Sequence, residues 1–354
     1  MADTRTYSRI KTTTIGAKNA SQRRLERPRL VIHRPPATVS SALESHAMAV
    51  ALGWKFLILY LYIASAMYVH FRGRVRHGFV RQLTDHSTFL APLNMVITLF
   101  SAVPRKPILD VNEFPDLRPL RDQWTTIRDE AVALFEAGHI RGSEKYNDVA
   151  FNTFFRRGWK RFYLKWYDDV LPSAAQLCPK TVALVQSIPS VNAALFALLP
   201  PGGKLGEHRD PFAGSLRYHL GLITPNDDAC RIYIDGTEYS WRDGEDIVFD
   251  ETYIHSAAND TDQTRVILFC DVARPVHTPV IRAVNRFITN HVVKATATQN
   301  TEDEPVGAVN KVSEYVYAAK RFFERAKESN RRLYYAAKYA VMLGLIYLIF
   351  FCFR

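Results

Sequence analysis

Between residues 191 and 275 the chain breaks into short apolar runs: ALFALLPP, SLRYHLGLI, CRIYIDG, TEYSWRDG, EDIVFDE and TRVILFCDV. Gly, Pro, Asn and Asp turns part them, and many short strands at regular spacing predict a sandwich or barrel. Polar residues intrude on this pattern. GEHRDPFAGSLRYHLGLI, residues 206–223, sets His208 and Asp210 on either side of Arg209 and then interrupts an apolar strand with Arg217 and His219. Charge inside a buried strand needs a partner, so the region is expected to hold something polar.

The flanks have a different texture. AMAVALGWKFLILYLYIASAMYV, residues 47–69, is long enough to cross ~30 Å of hydrocarbon as a helix. Its one charge, Lys55, lies near one end, and Arg72, Arg74, Arg76 and Arg81 follow it, as on a cytoplasmic flank. LYYAAKYAVMLGLIYLIFFCF, residues 333–353, is preceded by Arg331 and Arg332. Both segments carry basic residues on the side facing the middle of the chain, so the central region is expected in the cytoplasm. The competing reading makes each a buried core helix. FLAPLNMVITLFSAVP, residues 89–104, is too short for a span and reads as interfacial or re-entrant. Residues 1–46 are basic and poor in apolar residues, as in a disordered tail. Met48 stands where the apolar segment begins, which leaves it open as a natural start.

Residues 105–200 read mainly as helix with loops, and DLRPLRDQWTTIRDEAVALFEAG has helical apolar spacing with a Gly stop. FNTFFRRGWKRFYLKWYDD, residues 151–169, interleaves aromatic and basic residues. It reads either as a half-buried amphipathic element or as a platform for a greasy anion or a membrane surface. VSEYVYAAKRFFERAK is amphipathic and basic. The expected organisation is a basic extension (1–46), a transmembrane helix (47–71), an interfacial segment (72–110), a catalytic domain (111–275), basic helices (276–332) and a second transmembrane helix (333–353). A formal charge of +11 favours anionic partners, and two anchors favour lipid over nucleic acid. Cys178, Cys230, Cys270 and Cys352 form no CxxC pair, consistent with a reducing compartment.

In the strand region His208, Asp210, His255 and Arg265 stand in an order with chemical meaning. Two imidazoles and a carboxylate on one face of an octahedral ion leave the other face open, which suits Fe(II). The spacing of His208 and Asp210 lets both point to one side of a strand. The open positions accept a bidentate 2-oxo acid and dioxygen, and a guanidinium such as that of Arg265 can hold the acid's far carboxylate. Each residue alone is a weak signal; their order within one short-stranded region is stronger.

HxD…His…Arg on short strands resembles the Fe(II)/2-oxoglutarate dioxygenases, whose core is a jelly roll. PPGGKLGEHRDPFAGSLRYHLGLITPND and YSWRDGEDIVFDETYIHSAAND are similar to the aspartyl/asparaginyl β-hydroxylase branch. With YVHFRGRVRHGFVRQLTDHSTFLAPLN upstream, the likeness extends over roughly residues 48–275 to the branch's bacterial membrane members, the lipid A acyl-chain 2-hydroxylases. The resemblance implies a mainly β jelly-roll core with flanking helices and a transmembrane helix near each end. It implies His208, Asp210 and His255 as iron ligands and Arg265 as the cation for 2-oxoglutarate. Arg217 and His219 would line the site as catalytic residues, touching the cosubstrate's near carboxylate or the substrate. The reaction implied is hydroxylation of a lipid A acyl chain beside its carbonyl, giving succinate and carbon dioxide, at a bacterial inner membrane. Two departures stand out. The chain keeps Asp210, which the peptide-hydroxylating animal members have lost. It also has Ala197 where those members use a Ser for the distal carboxylate, which would leave Arg265 helped by Tyr233 or Tyr218. Peptide Asp/Asn hydroxylation and a non-catalytic membrane scaffold are the alternative functions.

Overall fold

The computed structural model describes residues 37–142, 148, 151–167 and 169–348, and the chain divides into Met1–Val50 and Ala51–Arg354. In the larger unit the strands are β1 (Ile108–Leu109), β2 (Lys160–Trp166), β3 (Asp169–Val170), β4 (Val191–Leu199), β5 (Lys204–His208) and β6 (Ser215–Ile223). They continue with β7 (Cys230–Ile234), β8 (Thr237–Ser240), β9 (Asp246–Phe249), β10 (His255–Asn259) and β11 (Arg265–Ala273). One sheet has the order β1-β9-β6-β11-β4-β2-β3 and the other β5-β10-β7-β8.

From β4 to β11 each strand crosses to the opposite sheet from the one before, except β8 after β7. With every pairing antiparallel, this winding is a jelly roll. The β7–β8 hairpin turns on Asp235 and Gly236, with φ of 51° and 80°. Positive φ at both central residues is what a two-residue Asp-Gly turn supplies, because its twist matches that of the flanking strands.

The central strands of the larger sheet are covered on both faces, so they read as near-continuous apolar runs. In β4 every residue but Asn192 is buried. Helix Trp124–Glu136 packs beside β6, burying Ile127, Ala131 and Leu134 at helical spacing. The core joins these to Phe196, Tyr218, Leu220, Val248 and Leu268.

Three findings refine the expectations. Most of the regular structure in residues 105–200 is helical, but KRFYLKW forms β2, buried from Arg161 to Trp166 and paired with β4. Its two cations are satisfied inside, Arg161 by Asp148 at 3.1 Å and Lys165 by the Val191 carbonyl at 2.8 Å. That part of the aromatic–basic stretch is therefore core and not a surface platform. Second, residues 89–104 hold the helix Ala91–Leu99, whose Ile97 packs with Phe212, Ala213 and Val276 against the jelly roll. Asn94 receives the Ala213 amide and donates to the Pro211 carbonyl, each at 2.9 Å, so the segment is bound to the domain.

Third, the basic flank after residue 71 is engaged by protein. Arg72 pairs with buried Asp250, Arg74 lies 3.8 Å from Asp235, and Arg81 donates to the Glu207 carbonyl. These contacts give the arginines a structural role that the charge-flank argument for orientation did not include. Among the described residues one helical portion, Gly53–Phe71, is long and apolar enough to cross a membrane, with mean hydropathy 1.3. Toward the other end Arg331–Tyr347 is helical, and the last residues of the expected span, 349–353, lie outside the described residues, as do 1–36. Cys178, Cys230 and Cys270 are buried free thiols.

Candidate active site

The site forms where β5 and β10 pair at the mouth of the jelly roll. His208 ends β5 and His255 begins β10, and the two are register partners. Their ring centroids are 4.2 Å apart. Asp210 lies just past β5, where its amide donates to the Glu251 carbonyl at 2.9 Å. One ligand atom from each of His208, Asp210 and His255 falls within 4.8 Å of the others, and His208 Nε2 is 4.0 Å from Asp210 Oδ1.

Backbone carbonyls orient both imidazoles. His208 Nδ1 lies 2.7 Å from the Gly206 oxygen and His255 Nδ1 3.0 Å from the Tyr253 oxygen. With Nδ1 donating its proton there, each ring presents an Nε2 lone pair, the arrangement that fixes the tautomer of metal-bound histidine. Burial holds both imidazoles in the neutral form, with His255 pushed down to about 4. Burial alone would raise Asp210, but the Arg217 guanidinium keeps it well below the usual carboxylate range. Two neutral imidazoles and one ionised carboxylate suit a divalent ion with open positions.

Arg217 and His219 share one face of β6, in register with Asp271 and Phe269 on β11. Arg217 sits inside a cluster of carboxylates: 2.6 Å from Asp210 Oδ2, in contact with Glu251, and 3.5 Å from Asp271. Phe269 covers its guanidinium at 3.9 Å, Ser215 donates to Glu251 at 2.7 Å, and Tyr167 donates to Asp271. Its charge is thus already matched by protein. The structure brings Arg217 against Asp210, the carboxylate of the candidate ligand set, as its ion-pair partner. Burial raises Glu251 well above the usual carboxylate range, and Asp271 and Asp210 push it higher against the pull of Arg217, which favours its acid form.

His219 is buried beside Phe269, Phe249 and Trp241, and neither of its ring nitrogens has a hydrogen-bond partner. Arg265 starts β11, is 2 % exposed and lies 4.3 Å over the Trp241 ring. Among the described residues no carboxylate pairs with it, and its Nε has no partner. Burial pushes its pKa down to about 10. The Trp241 ring links His219 to Arg265 and the Phe249 ring links it to His255, so it stands between the metal-ligand cluster and the guanidinium.

The hydroxyl expected to assist Arg265 is not found at the residues named for it. Tyr218 alternates to the opposite face of β6 from His219, with its hydroxyl 3.2 Å from Asp246. Tyr233 points away from the buried face of β7 and accepts from Arg231 at 2.7 Å. Ala197 pairs with Ile267 on β11, two residues from Arg265. Glu251 and Asp271 escaped the sequence reading. The signal for Glu251 was the acidic pair in FDETYIH, adjacent charges ending an apolar strand.

A family model for aspartyl/asparaginyl β-hydroxylase matches residues 121–275, which include all of these residues. The ornithine lipid ester-linked acyl 2-hydroxylase of Rhizobium tropici is 34 % identical over 199 residues, covering 54 % of this chain and 68 % of the relative. The chain belongs to the aspartyl/asparaginyl β-hydroxylase family. The human aspartyl/asparaginyl β-hydroxylase is 27 % identical over 168 residues, covering 46 % of this chain and 22 % of that protein. A Pseudomonas putida prolyl-4-hydroxylase structure covers 43 % of the chain and 87 % of its own, at 19 % identity and a TM-score of 0.32. As a member of this family the chain is a hydroxylase homologue, and the His–Asp–His cluster is its possible metal site.

Proposed function

We propose that the protein is an Fe(II)/2-oxoglutarate dioxygenase that hydroxylates a membrane lipid on the acyl carbon next to the carbonyl. The observation that carries the cosubstrate is Arg265. A buried guanidinium without an anion is strongly unfavourable, and a dicarboxylate that chelates the metal would bring its far carboxylate to meet it. His208, Asp210 and His255 would hold the iron. Oxidation of the substrate would be the work of the bound iron with dioxygen and 2-oxoglutarate, the last leaving as succinate and carbon dioxide. Arg217 keeps Asp210 ionised and aimed, Asp271 and Asp210 balance Arg217, and His219 offers unused nitrogens between metal and cation. Phe249, Phe269 and Trp241 exclude water around them.

A lipid substrate is supported by the Rhizobium relative, which its name assigns to an acyl chain, and by the apolar portion Gly53–Phe71. The finer reading is lipid A, a phosphorylated glycolipid, at the cytoplasmic leaflet of a bacterial inner membrane. It rests on the sequence resemblance and the charge of +11. The name of the Rhizobium relative makes ornithine lipid the second reading. Mass spectrometry of lipids from cells with and without the gene tests both. One added oxygen in a lipid A acyl chain is the expected result. The same change in ornithine lipid instead would replace lipid A, and no change in either would remove the lipid reading.

A further inference from the structure

A cavity of about 390 Å³ opens beside His208, lined by Phe154, Arg156, Arg157, Gly206 and Glu207. β5 is the edge strand of its sheet, so this wall of the cavity is not covered by another strand. Phe154 meets the His208 ring edge-on, with centroids 4.8 Å apart. Arg157 lies over Gly206: a Cβ built on that glycine would stand 2.8 Å from Nη1. Gly158, with φ of +82°, turns the chain from the exposed arginines into β2, where the next aromatic–basic residues are buried. The stretch FNTFFRRGWKRFYLKWYDD is therefore divided. Arg161 to Trp166 are core, and Phe154, Arg156 and Arg157 stand at the mouth of the candidate metal site.

We propose that Arg157, with Arg156, forms a subsite for the anionic group of a lipid headgroup, seating it beside His208 while the acyl chain enters along Phe154. This rests on the lipid-hydroxylase reading and adds to it the residues that would select the headgroup. The size suits a phosphate or carboxylate with part of its carrier, within the ~300–1,000 Å³ usual for ligand pockets. An apolar ring beside a guanidinium pair provides for both halves of an amphiphile. Glu207 on the same wall disfavours several negative charges together, so the subsite takes one anionic group.

The test uses the full chain in neutral detergent micelles and three probes: dihexanoyl phosphatidic acid, dihexanoylglycerol and inorganic phosphate. Calorimetry should show phosphatidic acid bound more tightly than either of the others. Arg157→Ala should weaken it about ten- to a hundredfold, the range for a lost charge-assisted hydrogen bond. Arg157→Lys should recover part of that loss, and binding of dihexanoylglycerol should not move. Fe(II) affinity measured on each variant shows whether His208 has been displaced. Equal affinity for phosphatidic acid in wild type and Arg157→Ala would overturn the proposal. So would equal weakening of the uncharged lipid, or inorganic phosphate binding as tightly as phosphatidic acid. Binding is read without turnover: if it depends on Arg157 yet no lipid is ever hydroxylated, the subsite stands and the proposed reaction falls.

Discussion

Arg209 donates from Nη1 to the carbonyl of Val69 at 2.9 Å. The donor stands between two candidate metal ligands, and the acceptor lies in the last turn of the helix Ala37–Phe71. Side chains alternate along an extended segment, so the residue between His208 and Asp210 faces away from the candidate metal site. There it meets carbonyls that a helix end leaves unsatisfied, and where a cation is favourable. Arg72 reinforces the joint from the other side by sharing Asp250 with Arg274.

Arg209→Met should loosen this joint. Loss of a buried charge-assisted hydrogen bond is expected to lower stability by about 1.5–3 kcal/mol. For a domain of this size that is a fall in Tm of about 3–12 °C, read in detergent by thermal unfolding. A variant as stable as wild type would show that the contact is incidental.

Removing either imidazole should abolish metal uptake. His208→Ala and His255→Ala each leave two of three ligands, and anaerobic titration with Fe(II) and 2-oxoglutarate should lose its visible charge-transfer band. The folded state should persist by circular dichroism, because both residues sit at the edge of the core.

Arg265→Ala should act on the cosubstrate and spare the metal. The requirement for 2-oxoglutarate should rise about ten- to a hundredfold, the range for a buried charged hydrogen bond, with Fe(II) affinity within about threefold of wild type, under 1 kcal/mol. An unchanged 2-oxoglutarate requirement would place the distal carboxylate elsewhere.

Glu251 separates a protonated from an ionised partner. Because its carboxyl is held in the acid form, Glu251→Gln should keep Fe(II) affinity within about threefold, under 1 kcal/mol. Glu251→Ala, which leaves Ser215 and Arg217 short of a partner, should destabilise the fold by about 1–3 kcal/mol. Glutamine proving as damaging as alanine would mean that the carboxylate is ionised.

Breaking the Asp250 junction should be the most damaging change. Asp250→Ala leaves Arg72 and Arg274 buried without their shared anion, and uncompensated buried charge costs about 3–5 kcal/mol. Urea unfolding of the full chain in detergent checks this, with a shift below 1 kcal/mol counting against the junction.

The central strands were legible because burial on both faces writes itself as an apolar run, as in ALFALL for β4 and RVILFCDV for β11. β5 and β10 were not. KLGEH and HSAAN have neither an apolar run nor clean alternation, so their pairing follows from the neighbours they are brought against. The same reason hid β2: Arg161 and Lys165 look like surface cations until Asp148 and the Val191 carbonyl meet them.

The sequence by itself determined that the chain has a short-stranded core, an apolar segment ahead of it, and His208, Asp210, His255 and Arg265 in an order that fits iron and a keto acid. Only the tertiary structure decided that Arg217 pairs with Asp210 while Arg265 has no carboxylate partner among the described residues, although both are arginines placed in apolar strands. Residue type sets which charges a strand carries. Which of them finds a counter-ion depends on the segments lying alongside, and for Arg217 those are β11 with Asp271 and the turn after β5 with Asp210.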